Sequence, residues 1–155
     1  MKKLIAYFSP SGNTKAMAEK LAKATGADFF EIKPQTPYTR ADLDWTNKNS
    51  RSSVEMNDKS YRPQIAQLPN SLANYDTIFI GFPIWWYVAP TIINTFVENV
   101  DLDGKKVIPF ATSGGSGMGK TLANLKPSCP GANWVEGKVI NGMSEKALAD
   151  WAEKL

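Results

Sequence analysis

Uninterrupted apolar runs, set between stretches of helical period, constrain this chain most. Residues 4–8 (Leu-Ile-Ala-Tyr-Phe) and 77–82 (Thr-Ile-Phe-Ile-Gly-Phe) place apolar side chains on nearly every position. A strand formed there is buried on both faces, as the strands of parallel sheets are. Runs at 28–32, 106–111 and 134–141 repeat the signal. Helical periods lie between them: Met17 and Leu21 within 14–24, then Ile92, Ile93, Phe96, Val97 and Val100 within 90–100. Leu122 and Leu125 follow Met118, and Leu148, Trp151 and Leu155 follow Ser144. Gly26 is placed to stop the first helix and Ser144 to cap the last. This alternation predicts an α/β fold, a doubly wound five-stranded parallel sheet with helices on both faces. Residues 33–63 break the rhythm. They are polar, carry Pro34 and Pro37, and suggest one solvated helix over 41–56 resting on Leu43 and Val54. With no internal repeat, the 155 residues read as a single domain, 1–155.

Composition removes several function classes. The chain has no histidine and one cysteine, Cys129. Ser-His-Asp and Cys-His catalysis are excluded, an intramolecular disulfide is impossible, and a transition-metal site is not expected. Catalysis, where it occurs, falls to a cofactor or to carboxylates. A net charge of +3, with no Lys/Arg cluster interleaved with aromatics, argues against nucleic acid. Lys2-Lys3 precede an apolar run that ends by Phe8, too short for an export signal or a membrane span. A cytoplasmic location is the expectation.

Three loops follow three successive strands, and in such sheets ligands bind beyond the carboxyl ends of the strands. The first is Ser9-Pro10-Ser11-Gly12-Asn13-Thr14, between residues 4–8 and a helix start. Helix N-terminal amides have no internal partner, and the helix dipole favours an anion there. Small residues let the backbone close around it, so Ser9, Ser11, Gly12, Asn13 and Thr14 read as a phosphate cradle. An ordinary capped helix is the plainer alternative. Lys15 follows the hydroxyl residue rather than preceding it, which excludes a P-loop, and Gly-x-Gly-x-x-Gly is absent. One terminal phosphate fits better than a triphosphate or a pyrophosphate.

The second loop runs Phe82-Pro83-Ile84-Trp85-Trp86-Tyr87-Val88-Ala89-Pro90. Three adjacent rings either stack on a planar ligand or pack into a core or an oligomer interface. The third loop is Thr112-Ser113-Gly114-Gly115-Ser116-Gly117-Met118-Gly119. Its glycines allow close backbone approach to a ligand, with a flexible linker as the alternative. A phosphate loop, a ring platform and a loop of close backbone contact together describe FMN.

At these positions the chain resembles the flavodoxin family, through Tyr7-Phe8-Ser9-x-Ser11-Gly12-Asn13-Thr14, Pro83-Ile84-Trp85-Trp86 and Phe110-x-Thr112-x-Gly114-Gly115-Ser116-Gly117. The resemblance implies strand order 2-1-3-4-5 with FMN at the strand 1/strand 3 switch. It implies that Ser9, Ser11, Gly12, Asn13 and Thr14 hold the phosphate. Residues 83–87 (Pro83, Ile84, Trp85, Trp86, Tyr87) and 112–117 (Thr112, Ser113, Gly114, Gly115, Ser116, Gly117) would flank the ring. It further implies an electron carrier, a monomer or weak dimer, meeting a flavoprotein reductase and an electron acceptor. Two positions depart from the pattern. No acidic cluster lies near the loops, and Tyr87 stands where related sequences often carry Gly. The 83–90 loop is also similar to that of FMN- or FAD-dependent quinone reductases of flavodoxin-like fold, so an FMN-dependent NAD(P)H:quinone or nitro-compound reductase is the alternative.

Overall fold

Each long apolar run becomes a strand, and every strand lies parallel to its neighbours. The computed structural model describes residues 2–155. β1 (Lys2–Tyr7), α1 (Asn13–Thr25) and β2 (Asp28–Glu31) open the chain, and α2 (Arg51–Met56) follows a long connection. Next come β3 (Tyr75–Pro83), α3 (Thr91–Asn99), β4 (Lys106–Thr112), α4 (Thr121–Leu125) and a 3-10 turn at Lys126–Ser128. Two short strands, β5 (Asn133–Trp134) and β6 (Lys138–Val139), precede α5 (Glu145–Glu153). The sheet order is β2-β1-β3-β4-β5, with β6 also paired to β4. The expected order 2-1-3-4-5 is therefore present, and the switch between β1 and β3 directs the loops of both to one edge.

Strand alternation sorts the core into two layers. Leu4, Ala6 and Phe8, with Ile78, Ile80 and Phe82, pack against Ile92, Ile93 and Phe96 of α3. Ile5, Tyr7, Phe79, Ile108 and Phe110 face the other way, onto Met17 and Leu21 of α1 and Leu148 of α5. Each fully buried Ile or Phe contributes about 1.5–3 kcal/mol, so both layers hold the sheet firmly beneath the loops. α1 ends as expected at Gly26, in the left-handed region at φ 72°, with its N–H donating to the Ala22 carbonyl.

The fifth strand, expected to be continuous over 134–141, is divided into β5 and β6. The cause lies in the neighbouring strand. Odd-numbered residues of β4 turn their backbone groups toward it: the Val135 N–H donates to Val107 and the Ile140 N–H to Ala111. Residue 109 on that side is proline and has no N–H to give. Opposite it, Gly137 lies so close that a Cβ would stand 1.5 Å from the Pro109 carbonyl oxygen.

The helix expected over 41–56 forms only at Arg51–Met56. Before it, polar side chains take nearby amides for themselves. Asp42 accepts from the Thr39 N–H, Asp44 from the Thr46 N–H and Asn47 from the Asn49 N–H. Such local bonds compete with helix. Val54 is 51% exposed and does not carry the helix; Ser52, Ser53 and Glu55 face inward instead. Ser50 caps α2 by accepting from the Ser53 N–H. The two ends of this connection are clasped. Gln35 N–H donates to Gln64 and Ala66 N–H to Lys33, both at 2.8 Å.

Candidate functional site

The loops after β1, β3 and β4 meet at the carboxyl edge of the sheet. In the first, Gly12 adopts φ 91° and begins α1 without a side-chain cap of its own. Ser9 supplies one: its Oγ accepts the Lys15 N–H at 2.9 Å, leaving its own hydroxyl proton free to donate. The amides of Ser11, Gly12, Asn13 and Thr14 donate to no protein acceptor among the described residues. Ser11 and Asn13 are exposed, whereas Thr14 is buried and its Oγ1 lies 2.8 Å from Thr112 Oγ1. The first and third loops are thus joined through two of the residues singled out in the sequence.

The second loop leaves β3 at Pro83, in register with Thr112 of β4. Ile84 N–H donates to the Thr112 carbonyl at 2.9 Å. Trp85 and Val88 then exchange both backbone hydrogen bonds, at 3.0 and 3.2 Å. Trp86 and Tyr87 sit between them at φ 48° and 69°. Two central residues of positive φ make this a type I′ turn, a geometry normally given to Asn-Gly.

The three rings separate in role. Trp85 is half-buried, edge-on to Phe8 at 5.7 Å and to Tyr38 at 5.6 Å. Trp86 and Tyr87 are 43% and 69% exposed at the tip. Trp86 and Tyr87 are the exposed pair; Trp85 packs on Phe8 and Tyr38 and presents its remaining surface to the space between the loops.

The third loop is an ordered turn. Ser113 Oγ accepts from the amides of Gly115 and Ser116 at 3.2 and 2.9 Å. The Asn141 side chain brackets Ser113, accepting its N–H and donating to its carbonyl, both at 2.8 Å. A Cβ at Gly114, Gly115 or Gly117 would meet nothing within 4 Å, so this backbone presents an open surface.

A cleft of about 420 Å³ lies between the second and third loops, walled by residues 84–87, residues 113–116, Leu43, Trp45 and Ser52. No charged side chain lines it. Ser9, Ser11, Gly12, Asn13, Thr14, Pro83, Thr112 and Gly117 lie outside its wall.

The clasped connection delivers residues that sequence reasoning missed. Trp45 stands 74% exposed at the cleft's rim. Behind the wall, the Tyr38 hydroxyl donates to Glu55, and the Arg51 guanidinium lies over the Tyr38 ring at 3.7 Å while its Nε donates to Glu55 at 3.0 Å. Burial, then the bond to Glu55, push the Tyr38 phenol far above its ordinary value. It stays neutral and holds Trp85 edge-on. Ser and Glu on an inward helix face give no apolar period, which is why this brace was not legible. Asn141 was missed because its partner is 28 residues away.

These features define an open, doubly wound α/β protein with a cleft between the loops that follow β3 and β4, beside the strand 1/strand 3 switch. A flavodoxin family model matches residues 2–155, and the chain belongs to the flavodoxin family. It is 53% identical to a protein of Bacteroides eggerthii DSM 20697 proposed to be a flavoprotein, over 99% of this chain and 96% of that one, with a TM-score of 0.94. It is 27% identical to a flavoprotein of Lactobacillus acidophilus NCFM solved in complex with FMN, over 97% and 98% of the two chains, with a TM-score of 0.71. It is also 29% identical, over 98 residues, to YcaK of Escherichia coli K12, an uncharacterized NAD(P)H oxidoreductase. That match takes in 63% of this chain and 45% of YcaK, so the chain spans less than half the length of this curated relative. No described helix is long and apolar enough to cross a membrane.

Proposed function

We propose that the chain binds FMN at these loops and works in electron transfer, receiving electrons from a flavoprotein reductase and passing them to an acceptor protein. The observation that carries this reading is the meeting of the three loops, tied together through Thr112, with an uncharged cleft of aromatic and glycine walls between the second and third. The residues fit the cofactor. The amides of residues 11–14, the free Ser9 hydroxyl and the exposed Asn13 amide suit a terminal phosphate. Trp86 and Tyr87 offer faces to a flat ring, and residues 114–117 offer open backbone. Bound FMN would supply the redox chemistry, and the chain binds, orients and shields it. The protein solved with FMN is similar along its whole length, which supports FMN here. A reducing, cytoplasmic setting suits the lone buried Cys129, whose thiol burial pushes up.

Titrating the protein with FMN, riboflavin and FAD tests the site. FMN is expected to bind tightest, and riboflavin binding as tightly would remove the phosphate cradle from residues 9–14. The likeness to YcaK favours a second reading, an FMN-dependent NAD(P)H reductase of quinones or nitro compounds. Stopped-flow bleaching of the flavin separates the two. A carrier is reduced slowly by NADH or NADPH alone and quickly once a reductase is added. Rapid bleaching by NAD(P)H, with many turnovers of quinone, establishes the reductase.

A further inference from the structure

A second, larger cavity of about 770 Å³ opens on the other side of the Trp86–Tyr87 turn, between α3, α4 and the stretch after α2. Its volume falls in the range of about 300–1,000 Å³ usual for small-molecule sites. The turn is a shared wall, since both of its rings border this cavity and the cleft. We propose that this cavity is a separate binding site for a flat aromatic anion that also carries a hydroxyl.

Three observations specify that chemistry. The first is the wall. Trp86, Tyr87, Ala123 and Pro127 make it largely apolar, and the two exposed rings suit a planar partner. The second is a pair of unpartnered polar groups on α3. Asn94 is only 8% exposed; its Nδ2 donates to the Asn124 carbonyl and to Ser128 Oγ, but its Oδ1 accepts from no group among the described residues. Thr91, one turn earlier on the same wall, has a buried hydroxyl with no partner. Asn94 Oδ1 keeps solvent contact on this wall, so a ligand donor can take the place of water there. The third is charge. Lys59 and Lys120 border the cavity, and neither has a carboxylate within 4.0 Å among the described residues. The one acidic residue of the wall, Glu98, is already engaged. It accepts from Arg62 Nε at 2.8 Å, Arg62 Nη2 at 3.1 Å and Ser128 Oγ at 2.8 Å. The free ammonium groups therefore favour an anionic ligand, and the Asn94 oxygen favours one that donates. This site stands apart from the cofactor reading, because none of its cationic or α3 residues lines the cleft.

The test is calorimetric titration of the purified protein with 6-hydroxy-2-naphthoate, without FMN and with FMN in excess. One saturable site is expected in both conditions. Ala123→Trp, which fills the cavity from α4, and Lys120→Glu, which reverses one charge, should each weaken the naphthoate about tenfold or more. Both variants should keep the parent's affinity for FMN, so failure of this site and failure of the flavin site are read separately. 2-Naphthol, lacking the carboxylate, and 2-naphthoate, lacking the hydroxyl, should each bind about tenfold more weakly. Absence of saturable binding, displacement of the naphthoate by FMN, or affinity untouched by both substitutions would overturn the proposal. Equal affinity for the three compounds would overturn its polar assignment.

Discussion

Tyr87 sits at φ 69° in a turn built for glycine, and the cost of that choice can be measured. Comparing Tyr87→Gly with Tyr87→Ala isolates it, because both variants lose the same ring and its partial burial cancels. Holding an L-residue in the left-handed region costs about 1–2 kcal/mol. Glycine avoids that cost but loses about 0.5–1 kcal/mol through its freer unfolded chain. The balance leaves Tyr87→Gly more stable than Tyr87→Ala by roughly 0.5–1 kcal/mol. At an ordinary φ the same pair would be ranked the other way, so the sign decides. Urea unfolding of the flavin-free protein gives the difference directly, and thermal melting should separate the pair by about 2–3 °C. Both variants should also bind FMN more weakly than the parent, because both remove a ring that walls the cleft. Equal stability, or greater stability for Tyr87→Ala, would refute the strained turn.

Asn13→Ala should weaken FMN by about 1.5–3 kcal/mol without changing unfolding, since its exposed side chain has no partner among the described residues. Thr14→Val should instead lower the stability of the flavin-free protein by about 1–3 kcal/mol, because it leaves the buried Thr112 hydroxyl unpaired; a flavin titration and a urea curve on each variant separate the two effects. Gly137→Ala forces a Cβ against the Pro109 carbonyl and should cost about 2–3 kcal/mol or more, read from the urea midpoint. Arg62 holds the Glu98 carboxyl below its ordinary value, partly opposed by burial and aided by Ser128. A carboxyl with a depressed folded pKa stabilises above its unfolded value of 4.5 and loses that contribution as the pH falls below it. Arg62→Ala should therefore flatten the acid side of the stability profile, by less than about 1 kcal/mol because both side chains are a third exposed; equal slopes below pH 4.5 in parent and variant would refute the pairing.

The framework was legible because it is written in local pattern. The runs at 4–8 and 77–82 could be buried strands and little else, and Gly26 and Ser144 marked helix ends that the structure reproduces. The loops were legible for the same reason, as small residues between a strand and a helix. What escaped depends on partners distant in sequence. The division of the fifth strand needs Pro109 and Gly137 side by side. The brace behind Trp85 needs Tyr38, Arg51 and Glu55, which a search for apolar periods passes over. The different fates of Trp85 and Trp86 follow from a two-residue turn whose sequence carries neither Asn nor Gly.

The clasp at the base of the clefted side has an evolutionary consequence. Because Lys33, Gln35, Gln64 and Ala66 close the connection with their own backbone bonds, residues 36–63 keep their backbone hydrogen bonds among themselves and meet the rest of the fold through side chains, Tyr38 on Phe8 and Trp85 and Arg62 on Glu98. Away from Tyr38, Arg51, Glu55 and Arg62, their length and composition can drift without disturbing strand register. Doubling such a loop costs only about 0.6 kcal/mol in closure entropy. Leu43, Trp45 and Ser52 reach the cleft from this insert, whereas the residues proposed to hold phosphate come from the sheet's own loops. The protein thus divides into a fixed grip and an exchangeable rim, and relatives built on the same sheet can acquire new partners by rewriting one closed segment.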